Sequence, residues 1–333
     1  MSDSKGLAID LVGKMTGYQG SALIGTAVET GLADALAGSP ATAGELVEKL
    51  GTDDRGTTAL LSGLVAIGLV DRVGDRFSLT EAGAPLASGH PDSVAQIVRK
   101  EWFFYRLWAD MPQAVRTGHA QTGPWPERLE RDPEQAHSFL RALDDLCSLF
   151  GGELAGLAGS GGPLSGRLLD VGGGAGSHAA NLVEANPDLA AIVLDLPGAE
   201  AVLNERNPEL DFVSGDFNQP RFGRPEGEEW DCVLLANILH DHPAGRNAGY
   251  VREAAGLLRD GGTLLIYEWV IDEGRTSPEG VALFTPMMLI ENEGGWTWSE
   301  EEIGRWLSDA GLEPEPLNRG HGPIAVIRAT KPA

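Results

Sequence analysis

Cysteine is nearly absent. Cys147 and Cys232, the two present in 333 residues, are too few and too far apart for a disulfide framework or a CxxC-type zinc site, so the chain reads as a reduced, cytosolic (cytoplasmic) protein. Basic residues are also scarce, with 25 Lys and Arg against 49 Asp and Glu and a formal charge of −24. A field of that sign repels nucleic-acid backbones and anionic membranes at long range, and neither is expected as a partner. No apolar run approaches the ~18 residues of a membrane span. The start, "MSDSKGLAIDLVGKM", lacks the basic segment and apolar core of a secretion signal. What remains is length enough for two domains of roughly 100 to 200 residues each.

From Gly20 to Leu36 apolar residues recur at helical spacing. Two more helices follow, in "SPATAGELVEKLG" and "DDRGTTALLSGLVAIGLV", divided by a stop at Gly51 and a start at Asp53 and Asp54. "GLVDRVGDRFSLTEAG" then alternates around Gly74-Asp75 as a hairpin. Three helices and a hairpin make a winged helix, placed at residues 1–98. The helix that would enter a DNA groove has Arg55 as its only basic residue, so self-association through its apolar surface is the better reading. Next, Trp102, Phe103, Phe104, Tyr105 and Trp108 fall within seven positions, which suits either helix core or the wall of a pocket for a flat molecule.

Residues 99–333 form the second expected domain, which from Arg167 onward repeats strand, glycine turn and helix. "RLLDVGGGAGS", "AAIVLDLPG", "LDFVSGDF", "WDCVLLANILH" and "GGTLLIYEWV" supply five strands, the pattern of a doubly wound parallel sheet with its ligand at the strand ends. "LEPEPLNRGHGPIAVIRAT" reads as two further strands, an antiparallel pair at one edge, preceded by a helix from Ser299 to Ala310 with Ser299 and Glu302 in capping-box spacing. Gly172, Gly174 and Gly176 depart from the dinucleotide fingerprint because Ser177 fills its sixth place, so a nicotinamide cofactor is the weaker reading. Asp170, Asp195 and Asp216 end three successive strands. Asp195 is placed to take two ribose hydroxyls, and Asp216 an adenine amino group with Phe217 stacked on the ring.

"HDH", His240 to His242, admits three readings: a metal site, a base with its support, or polar residues at a strand end. Neighbouring side chains at a strand end point apart, no other His occurs from 243 to 320, and His321 falls in a turn, which places the metal reading last.

"LLDVGGGAGS", "VLDLP", "GDF", "ANILHD" and "GGTLLIYE" stand in the order and spacing of the dimeric small-molecule O-methyltransferases that use S-adenosylmethionine. The chain resembles the plant caffeate and flavonoid type and the bacterial hydroxyneurosporene and polyketide-tailoring relatives along nearly its whole length. The resemblance implies a Rossmann-like class I methyltransferase sheet, parallel with an antiparallel edge strand, behind an N-terminal winged-helix dimerisation domain. It implies S-adenosyl-L-methionine as cofactor, a homodimer, and His240 as the general base oriented by Glu268. The cofactor site becomes Asp170, Gly172, Gly174, Asp195, Leu196, Gly215, Asp216, Phe217 and Asn237. The acceptor, expected to be an aromatic or polycyclic phenol, is assigned to Trp102, Trp108, Met287, Met288 and Glu291, with no metal. C- or N-methylation on the same scaffold and a non-methylating tailoring enzyme are the alternatives.

Three residues depart from the family pattern. His242 stands where the family has Trp, Ala236 where plant members have Lys, and Thr297 in "GGWTWS" where the family has a second supporting Glu. Glu291 or Glu293 is the expected substitute. Asp241 is expected to face the cofactor side or to cap the helix starting near Pro243.

Overall fold

The structure is a computed structural model that describes residues 4–150, 153–320 and 322–333; His321, expected in a turn, lies outside the described residues. The chain divides into two compact units, Met1–Arg106 and Leu107–Ala333.

In the first unit, α1 (Ser4–Thr16), α2 (Tyr18–Glu29) and α3 (Leu32–Leu36) lead into β1 (Ala41–Thr42), α4 (Ala43–Leu50) and α5 (Asp54–Ala66). The hairpin β2 (Val70–Val73) and β3 (Arg76–Leu79) follows, and β3 lies between β1 and β2. The helical spacing from Gly20 to Leu36 is broken in two because Gly31 sits at φ +75°, a left-handed conformation that glycine adopts without Cβ strain. Asp53 starts α5 by accepting from the Gly56 N–H. The apolar side of α5 turns inward, where Leu61 and Leu64 pack with Leu32, Leu46, Val70 and Phe77. The exposed apolar surface expected on that helix lies instead on α1, whose Leu7, Ile9, Leu11, Val12 and Met15 are each more than 60% exposed. α6 (Ala95–Leu107) carries the aromatic run. Its Trp102 stacks on Tyr105 and seats against Gly25 of α2, where any Cβ would strike the indole.

The second unit begins with α7 (Met111–Thr117), α8 (Trp125–Arg131), α9 (Pro133–Phe150) and α10 (Glu153–Ala158). It then alternates β4 (Gly166–Val171), α11 (Ser177–Ala185), β5 (Leu189–Asp195), α12 (Glu200–Arg206), β6 (Asp211–Ser214), β7 (Trp230–Ala236), α13 (Ala244–Leu257) and β8 (Leu258–Glu268). After β9 (Val270–Ile271), α14 (Glu279–Glu291), β10 (Trp298–Ser299) and α15 (Glu300–Asp309) come β11 (Glu313–Pro314), β12 (Asn318–Arg319) and β13 (Ala325–Thr330).

The sheet order is β6-β5-β4-β7-β8-β13-β11. β4 to β8 run parallel, and β13 is antiparallel to β8. The expected edge pair is three strands, because β11 and β12 pair separately with β13. Both faces of the central strands are buried: Leu169, Val171, Val233 and Leu235 point to one apolar layer, Leu168, Val193, Leu234 and Leu265 to the other. From β4 the chain winds first to β5 and later, from the opposite side, to β7. In open sheets of this kind a ligand crevice forms outside the carboxyl ends of the strands at that reversal.

Ser299 caps α15 through a complete capping box with Glu302. Ser299→Ala should lower stability by about 1 kcal/mol, seen as an earlier midpoint in urea; an unchanged midpoint would contradict the cap.

Candidate active site

The loop after β4 is shaped by positive φ at Gly172 (69°), Gly174 (56°) and Gly176 (81°). A Cβ on Gly172 would lie 2.5 Å from Ile238 Cδ1 and 3.4 Å from Phe217, so the loop, the turn after β7 and the turn after β6 close on one spot that only glycine leaves open. Asp195 sits across from this loop. Its Oδ2 accepts from the Gly174 N–H at 2.8 Å and its Oδ1 from the Leu196 N–H at 2.6 Å, which fixes both oxygens and leaves lone pairs for further donors. Burial raises the Asp195 pKa, opposed by those two N–H groups. The Gly215 N–H donates to Asp195 O, joining the third strand end to the second. Asp216 Oδ1 accepts from the Asn218 backbone and side-chain nitrogens, and Phe217 meets Tyr250 and His242 edge to face.

Asp170 is fully buried, and neither of its oxygens has a hydrogen-bond partner among the described residues. Burial, with the charge of Asp195 adding, pushes it up to about 7. Asn237, at φ +55°, likewise buries an unpartnered Oδ1. Buried polar groups without partners are rare. Unsatisfied acceptors beside a glycine cradle fit a ligand that brings donors and positive charge, as the amino and sulfonium groups of S-adenosylmethionine do.

Leu239, His240 and Asp241 form a short 3-10 turn past β7. Glu268, fully buried at the end of β8, accepts from His240 Nδ1 at 2.6 Å through Oε1 and from the Leu239 and His240 N–H groups through Oε2. Burial alone depresses the imidazole pKa, but the charges of Glu268 and Asp241, with Glu291 adding, outweigh it and raise His240 to about 9. The ring is therefore mostly imidazolium at neutral pH, a charged resting state rather than a free base near 6.5.

Asp241 does not cap α13, whose N-cap is Pro243 with no side-chain bond. The 3-10 turn swings it back, so that Oδ1 lies 3.5 Å from His240 Nε2 and accepts from Asn292 Nδ2 at 2.5 Å. Burial raises Asp241 to about 7, with His240 opposing and Glu291 adding. His242 packs on Phe217 and Tyr250 and is held neutral, mainly by burial, at about 4.

The two candidate supporting acids differ. Glu291 is buried and ion-paired with Arg128 at 2.9 Å, whereas Glu293 is exposed and pairs with His119. Thr297 is buried and bonded to Thr285. Met288 is buried, Met287 half-buried and Trp108 40% exposed, while Trp102 lies in the first unit. Sequence reading missed Arg128, Asn292 and Phe284, whose ring meets His240 edge to face at 5.0 Å. No local signal marks the first two. Phe284 lies three residues before Met287, in the same apolar run as the two methionines named for the acceptor.

Residues 108–313 match the family model of an O-methyltransferase domain, and residues 13–89 that of an O-methyltransferase dimerisation domain. The chain is 31% identical to the tetracenomycin polyketide synthesis 8-O-methyl transferase of Streptomyces glaucescens over 97% of its own length and 96% of that protein. It is 32% identical to the 3-hydroxy-5-methyl-1-naphthoate 3-O-methyltransferase of Streptomyces sahachiroi, covering 89% and 87%. Human N-acetylserotonin methyltransferase, solved in complex with SAM, superposes with a TM-score of 0.86 at 25% identity over both whole chains.

In an NMR titration of its ring protons, His240 should titrate near pH 9 and fall toward the ordinary ~6.5 in Glu268→Gln. Because the folded pKa is raised, the ring stabilises the fold fully below about pH 6.5, and that contribution fades as pH rises through about 9. A wild-type midpoint at or below 6.5 would overturn this account of the pair.

Proposed function

The chain belongs to the S-adenosylmethionine-dependent O-methyltransferases, and from that premise we propose that it tailors a natural product by methylating a phenolic hydroxyl on an aromatic or polycyclic small molecule, with His240 as general base. The observation that carries this reading is the buried His240–Glu268 pair, with Nδ1 occupied at 2.6 Å and Nε2 left for a proton from the acceptor. The relatives' names point the same way, since the tetracenomycin enzyme is an 8-O-methyl transferase of polyketide synthesis and the naphthoate enzyme acts at a 3-hydroxyl.

S-adenosylmethionine supplies an electrophilic methyl group on a sulfonium. Asp195 and Leu196, with Gly172 and Gly174, would hold its nucleoside part, Asp216 and Phe217 with Gly215 the base, and Asp170 and Asn237 its amino-acid arm. Trp108, Met287, Met288 and Glu291 are proposed to line the acceptor site. In-line displacement needs the acceptor oxygen within ~3 to 3.5 Å of the methyl carbon, so positioning by these walls carries much of the rate. As the oxygen attacks, His240 Nε2 takes its proton, and Glu268 stabilises the imidazolium so formed through Nδ1–H. Only neutral imidazole can accept, and the raised pKa makes it the minority form at neutral pH. The rate should therefore rise with pH.

The apolar side chains exposed along α1 have a natural cover in a second copy of the chain, and the matched dimerisation domain begins at residue 13. A homodimer joined through the first unit is proposed on that ground.

Labelled S-adenosylmethionine offered with a panel of phenols, aryl amines and acidic carbon compounds should label a phenol; label only on nitrogen or carbon would overturn the acceptor class. His240→Gln should cut turnover by about 10²-fold or more with S-adenosylhomocysteine affinity nearly unchanged. Partial recovery is expected above about pH 9, as a phenol nears its own pKa of about 10. Wild-type turnover in that variant at pH 7 would leave positioning alone as the catalyst.

Light scattering at micromolar concentration should give twice the chain mass. Replacing Leu7 and Leu11 with Glu should shift the mass to that of one chain; a stable wild-type monomer would contradict the dimer.

A further inference from the structure

His178, the second residue of α11, is absorbed by none of the roles above. Its ring meets Tyr267 edge to face, with centroids 5.1 Å apart. Cys147 Sγ lies 3.5 Å from Nδ1, and Asn237 Nδ2 lies 3.4 Å from Nε2. Burial pushes the imidazole down to about 4, so the ring is neutral and carries one N–H. Since Asn237 presents its amide nitrogen, a donor, Nε2 is the acceptor and the ring proton resides on Nδ1, facing Cys147 Sγ. That sulfur also accepts from Asn181 Nδ2 at 3.2 Å. Cys147, Asn181 and His178 thus form one chain of donors and acceptors that ends on the Asn237 amide.

The consequence lies at the other end of that amide. With Nδ2 directed at His178, Asn237 Oδ1 is the atom left buried and without a partner among the described residues, as are both oxygens of Asp170. Burial pushes the Cys147 thiol up to about 12, with the charges of Asp144 and Asp170 adding. Three unsatisfied acceptor atoms, one pair of them anionic, call for a donor that is also a cation. The reversed amide would expose Nδ2 and suit a carboxylate, which the charge of Asp170 opposes.

We propose that His178 is a positioning residue for the cofactor: its unprotonated Nε2 fixes the Asn237 amide so that Oδ1 accepts a hydrogen bond from the α-ammonium group of the amino-acid arm. This deepens the reading that Asn237 and Asp170 hold that arm, and rests on it. The effect is on affinity for one end of the cofactor, not on chemistry at His240.

Calorimetry on the full chain separates the two ends. S-adenosylhomocysteine carries the arm, and 5′-methylthioadenosine has the same nucleoside and sulfur without it. His178→Phe keeps a ring against Tyr267 but has no acceptor at Nε2. It should bind S-adenosylhomocysteine about tenfold more weakly, the scale of one charge-assisted hydrogen bond, and methylthioadenosine as the wild type does. Asn237→Leu should show the same selective loss. The double variant should lose no more than either alone, and His178→Gln, whose Oε1 can accept from Asn237, should recover most of the affinity. Equal losses for both ligands would reduce His178 to packing and overturn the proposal. A loss in Asn237→Leu with none in His178→Phe would also overturn it while leaving Asn237 in the cofactor site. No loss in either variant would remove Asn237 from that site altogether. Binding of the deamino analogue of S-adenosylhomocysteine to the unmodified chain gives a check independent of how the variants fold: it should be at least about tenfold weaker, and equal binding would overturn the proposal.

Discussion

One carboxylate organises the active site. Glu268 offers roughly four lone-pair positions, and four donors fill them: the His240 ring and the N–H groups of Leu239, His240 and Trp269. Three of those donors are backbone, so the glutamate sets the path of the turn as well as the orientation of the His240 ring. Trp298 Nε1 and Asn247 Nδ2 both donate to Leu239 O, holding the turn from its other side. The parallel register that sets Ala236 opposite Tyr267 brings the two strand ends together in the first place. A ring on so fixed a turn needs little reorganisation when it takes a proton, which is the condition under which a buried base and its counter-ion are effective.

The other strand ends follow a different electrostatic rule. Around His240 each acid has a cation or an amide as partner: Glu268 the imidazole, Glu291 Arg128, Asp241 Asn292. Around the glycine loop Asp170 and the Asn237 oxygen have none among the described residues. Leaving a carboxylate buried and unpaired costs several kcal/mol unless it takes up a proton or a cationic ligand. The pKa of about 7 at Asp170 reflects that tension, which a sulfonium ligand with an ammonium arm would relieve. The chain as a whole is strongly acidic, so a positively charged cofactor is also favoured at long range.

Features legible in the sequence are those written locally. Apolar runs closed by Asp170, Asp195 and Glu268 mark strand ends, because a buried parallel strand must be apolar on both faces and its end is where a carboxylate can first appear. The capping box at Ser299 and the hairpin at Gly74 are equally local. The break at Gly31 was not legible, since helical periodicity continues across it and only the positive φ interrupts the hydrogen bonds. Long-range pairings left no trace: Arg128 and Glu291 are 163 residues apart, and Asp241 and Asn292 are 51 apart. Nor does one residue's position betray where its side chain turns. Asp241 read as facing the cofactor side or as capping the helix near Pro243; it does not cap that helix, and the 3-10 turn points it at His240.

The loss of the family's second glutamate at Thr297 makes sense within this charge arrangement. Thr297 is fully buried, its hydroxyl is bonded to Thr285, and its carbonyl accepts from Arg275 Nη1 at 3.0 Å. The acids that act on His240 beyond Glu268 are Asp241 and Glu291, and they come with their own partners. A glutamate at 297 would add another buried carboxylate to a set in which Arg128 already serves Glu291 and Arg275 serves Glu302. Such a charge would have to be protonated or would raise the imidazole further, leaving still less of the neutral base.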